Sequence, residues 1–282
     1  MLNALYLISI IIGVSGQNIA QKPFTKKVGD GGVYFFNAVL SAVALLFFVV
    51  TSSEMHFDTS FIPYSVGFAV AYAVASVFMV LAIAYGSLSL TSLFVSYSLL
   101  IPTFYGLMMG EMVGAGFIPG MILLLVSLFL TNKSDEKVKI SPRWIICVVL
   151  SFLGNGMCTV VQKMQQVASN GAYKNEFMIV ALAIVAAVML IMSIFKERKE
   201  IKVYAKAGWH WAIICGALNG MVNLFVMILS GRMAVSIMFP LISAGGLIVT
   251  YIVSRFFYKE KLTKIQLIGF TFGLAAVVFL NI

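Results

Sequence analysis

Long apolar stretches alternate with short polar turns along the whole chain. In the last part, 234–282, two apolar spans flank the polar turn 259–264. A helix of about 20 apolar residues crosses a hydrocarbon layer of about 30 Å. The pattern predicts ten such spans, at 2–21, 33–52, 62–84, 89–110, 114–131, 143–162, 176–195, 208–230, 234–257 and 263–281.

Composition supports a membrane protein, because 61% of the 282 residues are hydrophobic and only 10% are charged. A soluble domain does not bury so large an apolar fraction. Apolar runs such as Met121–Leu130 lack the alternation of a transmembrane barrel strand. The predicted fold class is therefore an all-α integral membrane protein with ten transmembrane helices. Cys147, Cys158 and Cys215 lie within apolar spans and indicate small core residues rather than a disulfide framework.

The two halves of the chain resemble each other. Gly13 and Gly154 are separated by 141 positions, as are Lys22 and Lys163, whereas Glu111 and Glu260 are separated by 149. This order predicts a first five-helix repeat at 1–132, a cytoplasmic linker at 133–142 and a second five-helix repeat at 143–282. Because five is odd, the second repeat enters the membrane from the opposite side. Inverted repeats of this kind are typical of transporters that work by alternating access.

Basic residues fall almost wholly on one side of the predicted membrane. The loops after odd-numbered spans carry sixteen Lys and Arg residues, and the loops after even-numbered spans carry three, Lys163, Lys174 and Arg232. Positive residues favour the cytoplasmic face, so both termini are predicted to be extracytoplasmic, in the plasma (inner) membrane of a bacterium. The basic residues that produce the net charge of +9 are therefore expected to orient the chain in the membrane. The expected partners are the bilayer and a small molecule rather than nucleic acid, and a monomer is expected.

Two turns carry a family resemblance. Gly110-Glu111 and 259–263 (KEKLT) each follow an apolar run and precede a glycine-containing helix, with Gly269 nine residues past Glu260. This pattern resembles the EamA family of the drug/metabolite transporter superfamily. The resemblance implies a ten-helix carrier with two inverted repeats and a pocket formed mainly by the first, third and fourth helices of each half. The tryptophan common in the first helix of each half is absent here, and many relatives keep both termini in the cytoplasm.

Polar side chains within the spans mark the candidate substrate pocket, because such groups are costly in hydrocarbon and face the helix bundle. The alternative is interhelical hydrogen bonding, worth about 0.6 kcal/mol per bond. Of this set, Asn155, Asn219, Asn223, Tyr72 and Tyr97 are expected to face one central cavity. The predicted pocket residues are Gln17, Asn18, Tyr72, Ser76, Ser96, Tyr97, Asn155, Thr159, Asn219, Asn223 and Pro240.

Charged residues at the span ends suggest two gates. Lys22 is expected to meet Glu260 at the cytoplasmic face, and Lys163 to meet Glu111 at the outer face. The alternative is that the lysines extend to the interface and the glutamates cap turns independently. Because no acidic residue lies near a span centre, a pocket proton site is not expected, and facilitated exchange or coupling near the membrane faces is predicted.

The sequence contains no catalytic motif of a soluble enzyme and no acidic pair or histidine cluster at one membrane depth. No enzyme activity, cofactor or metal is predicted. The leading function is transport of a small neutral or zwitterionic metabolite, with export of an amino acid or amine favoured. The alternative within transport is uptake of a vitamin, nucleobase or sugar. A membrane-embedded enzyme and a non-transporting scaffold are the remaining readings.

Overall fold

The computed structural model describes residues 2–29, 31–52, 56, 58–85, 91, 94–95, 97–131, 141–256 and 263–280. These residues form ten α-helices and, within those ranges, no strand. The helices are α1 (Leu2–Val28), α2 (Val33–Thr51), α3 (Ile62–Tyr85), α4 (Leu100–Met108), α5 (Phe117–Thr131), α6 (Pro142–Ala168), α7 (Lys174–Lys196), α8 (Ile201–Ser230), α9 (Val235–Phe256) and α10 (Lys264–Phe279). The all-helical prediction is confirmed, with one helix for each predicted span.

The helices differ from the predicted spans mainly at their polar ends. Helix α1 continues to Val28, through most of the segment predicted to be a polar linker. Helix α8 begins at Ile201, and non-helical backbone at Gly208 kinks it where the apolar span was predicted to start. Polar residues at a membrane surface can continue a helix, so hydropathy marks the depth of a span rather than the end of its helix.

The start of α6 shows a defined local signal. The Ser141 side chain accepts a hydrogen bond from the Trp144 backbone N–H at 3.1 Å, and Pro142 occupies the first helical position. Serine at the cap and proline next to it are both favoured at helix N-termini. Pro142 is therefore the first residue of α6. Residues 133–140 of the predicted linker 133–142 lie outside the described residues, and the linker stays a prediction.

Five helices are long and apolar enough to cross a membrane, by length and composition. These are α2, α3 (with the short turn before it), α6, α7 and α8. The apolar parts of α1, α4, α5, α9 and α10 are shorter, between 10 and 17 residues. The count of membrane-spanning helices refers to the described residues alone. The chain is a multi-pass membrane protein.

Helices of the first half pack against helices of the second half. Ser151 of α6 donates a hydrogen bond to the carbonyl of Ala75 in α3, and Val161 lies beside Gly67 of the same helix, so α3 and α6 run antiparallel. Helices α1 and α8 also run antiparallel, because the ring of Tyr6 lies 4.9 Å from that of Phe225 while Phe24 contacts Gly208. Helices α2 and α7, and α5 and α10, form further pairs between the halves.

Two glycines occupy matching places in two of these helix pairs. Gly13 of α1 faces Leu218 and Val222 of α8. Gly154 of α6 faces Ala71 and Ala75 of α3, which precede the α8 residues by 147 positions. Small residues allow membrane helices to approach closely and gain van der Waals contact. Gly13 and Gly154 are 141 positions apart in sequence, and the residues they pack against are also related by one sequence offset, 147 positions.

Replacing Gly154 with alanine is expected to destabilise the protein. An added Cβ would lie 2.7 Å from the Ala75 backbone nitrogen and 2.8 Å from the Ala71 carbonyl oxygen, and backbone atoms do not yield cheaply. Overpacking of this kind typically costs about 1–3 kcal/mol. Thermal unfolding of the purified protein should show a lower midpoint for Gly154→Ala. Gly67→Ala, on the opposing helix, is the control, because its Cβ would lie 3.8 Å from Val161. Equal midpoints for the two variants would contradict the close approach.

Candidate functional site

A chain of side-chain amides crosses the centre of the helix bundle. Gln162 of α6 donates from Nε2 to Oδ1 of Asn223 at 2.8 Å, and Asn223 donates from Nδ2 to Oδ1 of Asn219 at 3.0 Å. Asn219 donates from Nδ2 to Oε1 of Gln17 in α1 at 3.1 Å. Asn219 and Asn223 lie on one face of α8 because they are four residues apart. The chain therefore links the first helix of each half through α8.

Tyr72 of α3 completes this group. Its hydroxyl is hydrogen-bonded to the Asn219 side chain, and its ring stacks on Phe68 at 5.7 Å. Four helices thus contribute neutral hydrogen-bonding groups to one place between apolar clusters. We refer to Gln17, Tyr72, Gln162, Asn219 and Asn223 as the central polar cluster. These side chains can form hydrogen bonds with a bound molecule, and they carry no net charge.

Several other residues of the predicted pocket form their hydrogen bonds outside the central polar cluster. Asn155 and Thr159 donate hydrogen bonds to carbonyls of their own helix, at Ser151 and Gly156, and Ser76 does the same at Ala73. The Tyr97 hydroxyl donates to the Leu125 carbonyl of α5 at 3.3 Å. Pro240 is buried within α9. Asn155 and Tyr97, which were expected to share one cavity with Asn219, therefore bond elsewhere in this structure.

Some predictions lie outside the described residues. They concern Ser96, Glu260 and the side chains of Asn18 and Lys22. The predicted cytoplasmic gate between Lys22 and Glu260 stays a prediction.

At one end of the bundle, the Glu111 carboxylate receives four hydrogen-bond donors. Oε1 accepts from the Val235 N–H at 3.1 Å, and Oε2 accepts from the Ser236 N–H at 2.9 Å and the Ser236 hydroxyl at 2.8 Å. Lys163 Nζ lies 3.2 Å from Oε1. Glu111 follows α4 in the first half, whereas Val235 and Ser236 begin α9 in the second half. A carboxylate at a helix N-terminus binds the unpaired N–H groups there and favours the positive end of the helix dipole.

Lys163 of α6 binds the same carboxylate. We refer to the contacts of Glu111 with Lys163, Val235 and Ser236 as the Glu111 joint. The Nζ of Lys163 donates to the Ser230 carbonyl at 2.9 Å, at the C-terminal end of α8, as well as pairing with Glu111. Both charged side chains are mostly buried, with 14% and 12% of their surface exposed. The structure brings Lys163 and Glu111 together as the sequence placed them, and Glu111 caps a helix of the other half as well. Whether this contact opens and closes as a gate stays a prediction.

The surroundings of Glu111 favour its ionised form. Burial alone would raise the pKa of this carboxyl, but the hydrogen bonds from Ser236, Val235 and Lys163 outweigh burial and hold the pKa below its ordinary value. The carboxylate is therefore negative at neutral pH, and its two oxygens are each occupied by two donors. It leaves little capacity to bind a further cation.

An open cavity of about 380 Å³ lies beside this joint. Glu111, Lys163, Ser230 and Arg232 line it together with apolar groups. The Arg232 guanidinium lies 5.9 Å from the centre of the Tyr6 ring. Ser230, Arg232 and Ser236 were not among the predicted site residues. Their contacts join positions more than a hundred residues apart or lie at a helix junction, and no spacing in the sequence reveals them.

Comparison with known proteins gives a family and a fold. A model of the EamA-like transporter family matches residues 142–282, which is half of the chain. No curated protein matches the sequence. Twenty-nine chains of solved structures match. One of them, described simply as a crystal structure of a protein, has a TM-score of 0.78 and 11% identity, and the match covers 98% of this chain and 95% of that chain. At such low identity the likeness shows the fold alone.

The Glu111 joint is expected to weaken in acid. The pKa of Glu111 is lower in the folded protein than its ordinary value of 4.5. Its stabilising effect is therefore complete above the unfolded pKa and is lost as pH falls through the lower folded pKa. Thermal unfolding midpoints measured against pH should show Glu111→Gln less stable than the parent at neutral pH, by on the order of 1 kcal/mol. The difference should shrink below about pH 4.5, and a difference that is constant with pH would contradict an ionised Glu111.

Proposed function

Because the chain belongs to the EamA-like transporter family, within the drug/metabolite transporter superfamily, we propose that it moves a small neutral or zwitterionic metabolite by alternating access between two inverted repeats. Members of this family are transporters rather than enzymes. The observation that carries the proposal is the central polar cluster, where both halves contribute uncharged hydrogen-bonding side chains.

Repeated contacts support the inverted arrangement. Helix α1 packs on α8 as α6 packs on α3, both antiparallel, with Gly13 and Gly154 in matching places. The pairs α2 with α7 and α5 with α10 join positions that correspond in the two repeats. Two similar bundles related in this way can exchange roles about a site between them.

The charge distribution supports a cargo without net charge. The central polar cluster consists of four amides and a phenol, whereas the ion pair formed by Glu111 and Lys163 lies at one end of the bundle. A net charge moved into the cluster would meet no opposite charge there and would be costly to desolvate. Amino acids in zwitterionic form suit such a site, and export is the favoured direction. Uptake of a vitamin, nucleobase or sugar is the competing outcome.

The proposed location is the plasma membrane of a bacterium, with both termini on the extracytoplasmic side. The support is the distribution of basic residues, sixteen against three. In this orientation the Glu111–Lys163 joint lies at the outer face, so the conformation with that joint closed faces the cytoplasm.

Counterflow in proteoliposomes tests the function. Vesicles loaded with one unlabelled candidate should accumulate the same labelled compound transiently, and candidates should include amino acids, amines, nucleobases, vitamins and sugars. Asn219→Leu removes the hydrogen bonds to Gln17 and Asn223, so the concentration for half-maximal counterflow should rise about tenfold, with near-normal expression. Asn37→Leu is the control, because Asn37 is a buried amide that bonds a carbonyl of its own helix, at Val33.

Absence of counterflow with every candidate would contradict the transport proposal. Counterflow that is equally affected in both variants would contradict the central polar cluster as the substrate site.

The gate is tested by cross-linking Glu111→Cys to Lys163→Cys with a short thiol-specific reagent. The pair should react in the conformation closed at this face and should become unreactive when substrate shifts the protein to the opposite conformation. Each single-cysteine variant measures background reaction. Cross-linking that substrate does not change, or that never occurs, would contradict the gate.

A further inference from the structure

The cavity beside the Glu111 joint contains one cation that is not balanced by an anion. Glu111 and Lys163 neutralise each other at 3.2 Å. Arg232 is exposed and stacks over Tyr6, and among the described residues it forms no ion pair. The Tyr6 ring holds the guanidinium at the cavity by a cation–π contact. Among the described residues, the N–H groups of this guanidinium have no hydrogen-bond acceptor. The local charge is therefore about one positive unit.

Two further unused donors belong to residues that line the same cavity, Ser230 and Lys163. The Ser230 hydroxyl is buried, and in the described part of the chain it makes no hydrogen bond. Lys163 has three N–H donors, and the structure gives two of them acceptors, at Glu111 and the Ser230 carbonyl. A buried hydroxyl without a partner is uncommon, because losing hydration without a replacement bond is costly. These donors lack an acceptor, and Glu111 cannot supply it because its oxygens are occupied.

From these contacts we infer that the cavity bordered by Lys163, Ser230 and Arg232 is a vestibule site for the carboxylate group of the cargo. The inference rests on the proposed transport function and narrows its substrate class. A singly charged carboxylate balances the one uncompensated cation, whereas a doubly charged phosphate would leave excess negative charge beside Glu111. The planar guanidinium of Arg232 also matches the two oxygens of a carboxylate.

The rest of the cavity suits an apolar or flexible body on the ligand. Met112, which is 92% exposed, and Met233 line the cavity next to the polar group. Methionine side chains are flexible and polarisable, so they adapt to ligands of different shape. A zwitterionic amino acid fits this lining, and a simple amine does not, because it would add positive charge beside Lys163 and Arg232 without a carboxylate to balance it.

The site also connects binding to opening of the joint. A carboxylate that accepts the third N–H of Lys163 places a second anion beside the ammonium group, so Lys163 is shared between the cargo and Glu111. Glu111 keeps its three donors from Val235 and Ser236, so it stays ionised when Lys163 turns away. Cargo bound in the vestibule therefore weakens the contact between the two halves at this face.

Chemical modification of Met112→Cys tests the site without requiring transport. Protein in lipid nanodiscs is treated with an anionic or a cationic methanethiosulfonate reagent, with acetate, methylammonium or chloride added at matched ionic strength. The parent protein measures background from Cys147, Cys158 and Cys215, which are buried. Acetate should slow modification by the anionic reagent severalfold, whereas methylammonium and chloride should not.

Substitutions assign the effect to the cavity. Arg232→Gln should abolish acetate protection and lower the preference for the anionic reagent about fivefold, as expected for loss of one nearby charge. Ser230→Ala should weaken protection by acetate. Arg198→Gln, an exposed arginine in the turn between α7 and α8, is the matched control and should keep both properties.

Absence of acetate protection in Met112→Cys, equal protection by chloride, or protection that persists in Arg232→Gln would overturn the carboxylate site. These outcomes are separate from the transport test. Counterflow without acetate protection rejects the vestibule site alone, and acetate protection without counterflow rejects the transport proposal while leaving a carboxylate site.

Discussion

The packing of one end of this molecule depends on a single buried carboxylate. Glu111 belongs to the first half of the chain, and its carboxylate binds the N-terminus of α9 in the second half. Lys163 pairs with this carboxylate and also donates to the carbonyl at the end of α8. Without the carboxylate, the N–H groups at the start of α9 would lose their acceptor, and the Lys163 ammonium would keep only the Ser230 carbonyl, in a largely buried place. Because donors from the second half converge on one side chain of the first, separating the halves at this face breaks several bonds together.

The centre of the bundle obeys a different constraint. In a membrane every polar group must find a partner within the protein, and the central polar cluster satisfies this requirement with bonds between Gln17, Asn219, Asn223 and Gln162. Under the proposed function, cargo that enters the cluster would replace these bonds with its own. Exchanging one neutral hydrogen bond for another changes the free energy only slightly. A binding site built from amides would therefore hold cargo without trapping it and would discriminate by the arrangement of donors and acceptors.

The fold was largely predictable, whereas the site was predictable only in part. Hydropathy located ten helices because an apolar stretch in a membrane has few alternatives to a helix. It missed the end of α1 and the start of α8, where polar residues continue the helix past the apolar span. For the site, helical spacing placed Asn219 and Asn223 on one face correctly. It could not tell that Asn155 bonds a carbonyl of its own helix, because a polar residue within a span has acceptors both on its own backbone and on neighbouring helices.

Under the proposed inverted repeat, corresponding positions of the two halves carry different side chains at the central polar cluster. Tyr72 and Ser76 on α3 precede Asn219 and Asn223 on α8 by the same 147 positions that relate the residues facing the two glycines. The α8 residues offer two amides, which both donate and accept in the cluster. The α3 residues offer hydroxyls, and Ser76 uses its own on the Ala73 carbonyl. Under the proposed inverted repeat, corresponding positions of α3 and α8 thus carry unequal chemistry. Under the proposed mechanism, cargo would lie with its hydrogen-bonding end towards α8 and its apolar end towards Phe68 and Tyr72, because the amides lie on the α8 side and the stacked rings on the α3 side.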